Sequence, residues 1–190
     1  MRQFTVSGAI GAGKSSALAI LGERYPSISV VQEAVDEWSL LKRAAKDPVR
    51  WSFAAQVQIL VSLIARDIPK EGVVVCERDH SDCLMFTELA INRGWVEQKN
   101  FSMFNKLLAS ARPAVADASV LLRVDADTSM ARIRSRGRES EAGMDPEHAR
   151  AVVEAYARRE AAGEYDLVID TRELTPAAVA DRIASFVTSR

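Results

Sequence analysis

The run from Gly8 to Ser15, "GAIGAGKS", places a glycine, four residues and then Gly-Lys-Ser, which is the spacing of a phosphate-binding loop. Glycines let backbone N–H groups converge on phosphate oxygens, a lysine such as Lys14 meets the β- and γ-phosphate charge, and a hydroxyl at Ser15 can ligate magnesium. Gly11 adds room inside the loop, and Ala12, Gly13 and Ser16 complete the stretch expected to wrap a nucleoside triphosphate, ATP with Mg2+. A second set of candidates is acidic. Glu33, Glu77 and Asp125 each close a short apolar run. A carboxylate at such a place can take a proton from an attacking hydroxyl or hold a metal.

These side chains need elements to carry them. Five apolar runs, at 3–7, 27–33, 72–77, 119–125 and 166–170, alternate with helix-length segments, a pattern that predicts a parallel sheet covered by helices. Helices are expected over 14–23, 48–66, 81–93, 97–111 and 128–136. Another should start at Asp145 with Pro146 in its first turn, and a last one at Thr175 with Pro176. The spacing therefore predicts an α/β fold of three layers with a five-stranded parallel sheet, in a single domain over 1–190. Open sheets of this kind bind ligands beyond the carboxyl ends of their strands, so the loop and the acids are expected to share one crevice.

Composition narrows the classes. The formal charge is −1, with 48% hydrophobic and 27% charged residues, which excludes a global basic field for nucleic acid. Cys76 and Cys83 have no metal-ligand spacing with His80 or His148 and imply no disulfide framework. No signal-peptide core and no run of about 18 apolar residues is present, so a cytoplasmic protein without membrane spans is expected. Cys83, His80 and His148 read as packing or surface residues.

Four further segments carry a resemblance. "QEAVDEW" (32–38) is similar to the Glu-Pro-Val…Trp segment of the deoxynucleoside kinases, P-loop enzymes that include thymidine and deoxycytidine kinases. "KDPVRWSFAAQ" (46–56) resembles their "KDP.RW....Q" segment, "CERDHSD" (76–82) their Glu-Arg-Ser motif, and "RIRSRGRESE" (132–141) their arginine-rich lid. The segments come in the family's order. The resemblance implies Glu33 as the base toward a nucleoside 5′-hydroxyl, Arg78 at the reacting oxygen, and Glu77 with Ser15 at magnesium. It implies Gln56 reading the base edge, Trp38 lining the base pocket, Arg136 and Arg138 closing a lid over the phosphates, and Glu141 contacting the 3′-hydroxyl. With a one-residue deletion, Asp82 falls in the base pocket and Phe86 stacks on the base. The lid is expected near 136–143, and a homodimer follows from the same resemblance.

The departures are specific. Ala34 stands where the family has proline, Ala45 where it has a tyrosine, and Ala55 where an aromatic precedes the base-reading glutamine. Each alanine removes contact surface, so a wider pocket or a bulkier substrate is expected. Leu63, where cytidine-preferring members carry arginine, favours a thymidine-like or modified pyrimidine. The expected activity is transfer of the γ-phosphate of ATP to the 5′-hydroxyl of a pyrimidine deoxynucleoside, a small-molecule partner. Alternatives are a kinase acting on a hydroxymethylated pyrimidine in DNA, a nucleoside monophosphate kinase, and a nucleotide-binding module without catalysis.

Overall fold

A computed structural model describes the chain at residues 1–111, 113–138, 141 and 144–190. Strands β1 (Arg2–Gly8), β2 (Ile28–Val31), β3 (Val73–Glu77), β4 (Ala118–Arg123) and β5 (Leu167–Asp170) form one sheet in the order β2-β3-β1-β4-β5. Every neighbouring pair is parallel. The central strand β1 is buried at six successive positions, as required of a strand covered on both faces. The fold is thus the three-layer α/β arrangement expected.

The helices start where local chemistry lets them. Helix α1 (Lys14–Arg24) follows Gly13, which is left-handed at φ 92 and offers no side-chain cap. The next is α2 (Ser39–Lys46), which has no counterpart among the helices expected from sequence. Helix α3 (Pro48–Ile64) begins at Asp47, whose side chain accepts from the Arg50 N–H, with proline in the first turn. Helix α4 (His80–Asn92) opens with a capping box between Asp79 and Asp82, and α5 (Gln98–Ala111) follows. Helix α6 (Ala126–Arg136) is capped by Asp125 and ends at left-handed Gly137. Asp145 and Pro146 start α7 (Pro146–Ala161), and Thr175 and Pro176 start α8 (Pro176–Thr188), both as expected.

Among the described residues two larger apolar clusters, beside a small third one at Met130, Ile133 and Ala149, hold these layers. The larger one joins the sheet, through Phe4, Val6, Val120 and Leu122, to α1 and α8 through Leu18, Leu21, Val179 and Ile183. The smaller one packs Trp38, Leu60, Leu63, Cys83 and Phe104 between α3, α4 and α5. Both cysteines are free and buried. Among the described residues no helix is long and apolar enough to cross a membrane.

Candidate active site

The loop after β1 is shaped by backbone crowding. At Gly8 (φ +150) a Cβ would stand 2.6 Å from the Leu122 carbonyl oxygen, and at Gly11 (φ +78) 2.7 Å from that of Ser129. Only glycine permits both the dihedral and the approach. The Ala12 N–H donates to the Ala9 carbonyl at 3.1 Å, which closes the loop on itself. Because no side chain caps α1, its first-turn N–H groups remain available to an anion, with Ser15 and exposed Ser16 in that turn. Lys14 is 6% exposed and its Nζ donates to the Gly8 and Ala9 carbonyls at 2.9 and 3.1 Å. Burial, and then the Arg78 charge, lower its pKa to about 8 against the pull of Glu77, Glu33 and Asp82.

Three carboxylates were expected at one crevice, and two are there. The Ser15 hydroxyl donates to Glu77 Oε1 at 2.8 Å, while the Glu33 N–H donates to Glu77 Oε2 at 3.3 Å. Strand β2 stops at Val31, earlier than the 27–33 expected, so Glu33 sits on the loop beyond it. Its carboxylate, 3% exposed, pairs with Arg78 at 3.0 Å. Burial pushes the Glu33 pKa up, and the Arg78 charge restrains the rise. Asp125 takes the other role open to an acid at such a place, that of a helix cap. Strand β4 ends at Arg123, and Asp125 accepts from the Thr128 N–H at 2.7 Å as the cap of α6. It lines a different depression, beside Arg172.

Arg78 is held in an unusual conformation. Its φ of 55 lies in the left-handed region that a non-glycine residue rarely adopts. The Arg78 N–H donates to the Val6 carbonyl at 3.0 Å, and its carbonyl accepts from Arg66 at 3.0 Å. Its guanidinium lies 5.0 Å from the centre of the Phe86 ring. Arg66, one of the three cations near the acceptor motifs in the sequence with Arg50 and Arg78, thus positions Arg78 through its backbone.

One cavity of about 120 Å³ unites Lys14, Ser15, Glu33, Glu77 and Arg78 with the expected acceptor side. Trp38, Gln56, Leu63 and Phe86 line it, as do Arg136, Arg138 and Glu141. Trp38 serves wall and core together: it is buried, and its Nε1 donates to Ser62 at 3.0 Å. Gln56 Oε1 is buried without a hydrogen-bond partner, as an acceptor reserved for a ligand would be. Arg136 grips Glu141 at 2.6 Å, and Arg138 lies 3.6 Å from Asp36 and 3.8 Å from Glu141. Of the lid expected at 136–143, positions 139, 140, 142 and 143 lie outside the described residues.

Asp82 lies where the resemblance implied and has structural ties as well. It reaches the cavity, yet its carboxylate is taken up by protein: Ser7 at 2.7 Å, Tyr156 at 2.8 Å, Arg159 at 3.2 Å and the Asp79 N–H at 3.4 Å. These use the roughly four acceptor positions of a carboxylate. Its geometry therefore fits a tie between β1, α4 and α7. Tyr156 and Arg159 went unnoticed in the sequence because they lie 74 and 77 positions from Asp82.

Residues 4–182 match the family model for deoxynucleoside kinase. A protein of Frog virus 3 (isolate Goorha), provisionally named a deoxynucleoside kinase, is 32% identical over 157 residues, 80% of this chain and 79% of the relative. A deoxyadenosine kinase of Lactobacillus acidophilus is 28% identical over 150 residues, 73% of this chain and 68% of the relative. The deoxyadenosine kinase of M. mycoides, solved with dCMP and a flexible dCDP as products, superposes with a TM-score of 0.84 at 20% identity, covering 98% of each chain. The same enzyme with dATP bound gives 0.84 at 19% identity, over 99% of this chain and 100% of the other.

Proposed function

The chain belongs to the deoxynucleoside kinase family and is a phosphotransferase; from that premise we propose that it transfers the γ-phosphate of ATP to the 5′-hydroxyl of a free pyrimidine deoxynucleoside. The observation that carries this reading is the buried Glu33–Arg78 pair facing the phosphate loop across one cavity. A carboxylate with a raised pKa is suited to accept a proton, and the neighbouring guanidinium supplies the compensating charge.

In this reading the 5′-hydroxyl enters beside Glu33, its oxygen attacks the γ-phosphorus, and the bond to the β–γ bridging oxygen breaks to release ADP. The hydroxyl proton passes to a Glu33 carboxylate oxygen. Lys14 and Arg78 meet charge on the transferred group, and Arg136 and Arg138 close over the phosphates. Ser15 and Glu77, 2.8 Å apart, offer two hard oxygen ligands, which suits magnesium that retains several waters. Held there, such an ion would supply Lewis-acid stabilisation of the phosphate charge.

The distribution of cations favours a nucleoside over a monophosphate acceptor. Arg50 lies over Trp51, 5.0 Å from the ring centre, and Arg66 is committed to the Arg78 carbonyl. Of Arg50, Arg66 and Arg78, the three arginines near the acceptor motifs, Arg78 is the one that lines the cavity. The test is incubation with labelled ATP and four acceptor sets: free deoxynucleosides, their monophosphates, plain DNA and hydroxymethylpyrimidine-containing DNA. Label is expected in the nucleoside 5′-monophosphate; label found solely in DNA overturns the reading.

A further inference from the structure

Asp82 is 1% exposed, yet donors from three elements converge on its carboxylate, and Tyr156 and Arg159 among them come from α7. Among the described residues none of α7 lines the cavity that holds Lys14 and Arg78. Tyr156 Oη at 2.8 Å and Arg159 Nη1 at 3.2 Å share Oδ1, while Oδ2 takes the Ser7 hydroxyl at 2.7 Å and the Asp79 N–H at 3.4 Å. One oxygen thus belongs to α7 and the other to the strand and turn beside the site. Arg159 Nη2 also donates to Ser81 Oγ at 2.8 Å, and Ser81 donates to Asp79 Oδ1 at 2.6 Å.

The groups on Oδ2 hold Arg78 from two sides. Ser7 stands between Val6, whose carbonyl accepts the Arg78 N–H at 3.0 Å, and Gly8, whose carbonyl accepts from Arg78 Nη2 at 3.3 Å and Lys14 Nζ at 2.9 Å. The Asp79 N–H belongs to the peptide unit whose carbonyl, that of Arg78, accepts from Arg66. That unit is gripped on both edges, which fixes the ψ of a residue held at φ 55, and such strain persists only where its surroundings over-determine it. The two cations facing the transferred phosphate are therefore aimed by atoms whose places depend on one buried carboxylate. Stability alone gives little reason to bury a charge there, because a well-packed apolar group of similar volume is often as stable in such a place. What a carboxylate adds is direction: hydrogen bonds of set length to atoms beside the cations.

We propose that Tyr156 and Arg159 are positioning residues for phosphoryl transfer: they hold Asp82, and through it Ser7 and the Arg78–Asp79 peptide, so that Lys14 and Arg78 stay aimed at the transferred group. The proposal rests on the kinase reading above and adds to it two residues outside the cavity.

The experiment measures kcat and KM on a free deoxynucleoside, and nucleotide Kd by calorimetry, per folded protein, for Tyr156→Phe, Arg159→Met and Arg159→Lys. Tyr156→Phe keeps the ring and removes a single donor; Arg159→Met keeps the length and removes the charge. The loop and α1 N–H groups that meet the nucleotide lie outside this network. In both variants kcat should therefore fall about tenfold or more, with nucleotide Kd changed less than about threefold. Arg159→Lys, which returns a charge to Asp82, should recover most of the loss. A double-mutant cycle checks the route: in an Asp82→Asn background, Arg159→Met should lower kcat less than about twofold. A kcat within about twofold of the wild type in Tyr156→Phe and Arg159→Met overturns the proposal, as does a lysine no better than methionine or a loss undiminished in the Asp82→Asn background. A kcat loss matched by an equal weakening of nucleotide binding marks a general loosening of the fold and overturns it too. Each of these leaves the kinase reading standing while the wild type phosphorylates a deoxynucleoside; turnover of no nucleoside by the wild type overturns both.

Discussion

Glu33 and Lys14 are buried charges in one cavity, shifted in opposite directions, and each shift makes a prediction. Because burial raises the Glu33 pKa, the protonated form, which cannot accept the 5′-hydroxyl proton, persists to higher pH than for a surface glutamate. A pH–rate profile should therefore lose kcat/KM on its acid side at a pH above the ordinary glutamate range, and a limb at the ordinary value would contradict the assignment. Lys14, at about 8 in the free protein, is charged below that pH and increasingly neutral above it. Nucleotide affinity should fall as pH rises through about 8, with proton uptake on binding, which calorimetry in buffers of different ionisation enthalpy detects. The loop was readable in the sequence because its spacing is local; Glu33 and Glu77 stood out as acids closing apolar runs, and Arg78 through the resemblance of its segment. The ties of Asp82 to Ser7, Tyr156 and Arg159 were not readable, because these partners come from distant elements.

At the scale of elements, the phosphate loop depends on β4 and α6 as much as on its own residues. Gly11→Ala would press a Cβ to 2.7 Å from a Ser129 backbone oxygen, and neither backbone has a flexible end to yield. A loss of about 1–3 kcal/mol of stability in denaturant melts is expected, together with loss of nucleotide binding; an unchanged midpoint would show that the loop is not packed as described. The same dependence explains what the sequence hid. Helix α2 has no side-chain cap of its own at Trp38; instead the Leu40 N–H donates to Gln58 Oε1 from α3 at 3.0 Å. A start signal delivered by another helix leaves no local pattern to read. Asp125 shows the converse, since an acid three residues before Thr128 reads equally as a strand-end catalyst or a cap, and the chain uses it as a cap.

At the scale of the whole molecule, the β2-β3-β1-β4-β5 order was beyond the alternation of runs to determine, although five parallel strands were not. That order sets β3 between β2 and β1, and so brings Glu33, Glu77 and the loop together at the carboxyl ends of adjacent strands. Ligand that bridges these elements should stabilise all of them. At ATP–magnesium about 100-fold above Kd the gain is about 2.7 kcal/mol, a rise in Tm on the order of 5–10 °C for a chain of this length. Calorimetric scans with and without nucleotide check this, and no rise would mean that the loop does not bind it. The central claim, that Glu33 serves the acceptor hydroxyl and not the nucleotide, is tested by Glu33→Gln. Turnover on a free deoxynucleoside should fall by about a hundredfold or more with nucleotide Kd nearly unchanged; turnover near that of the wild type would contradict it.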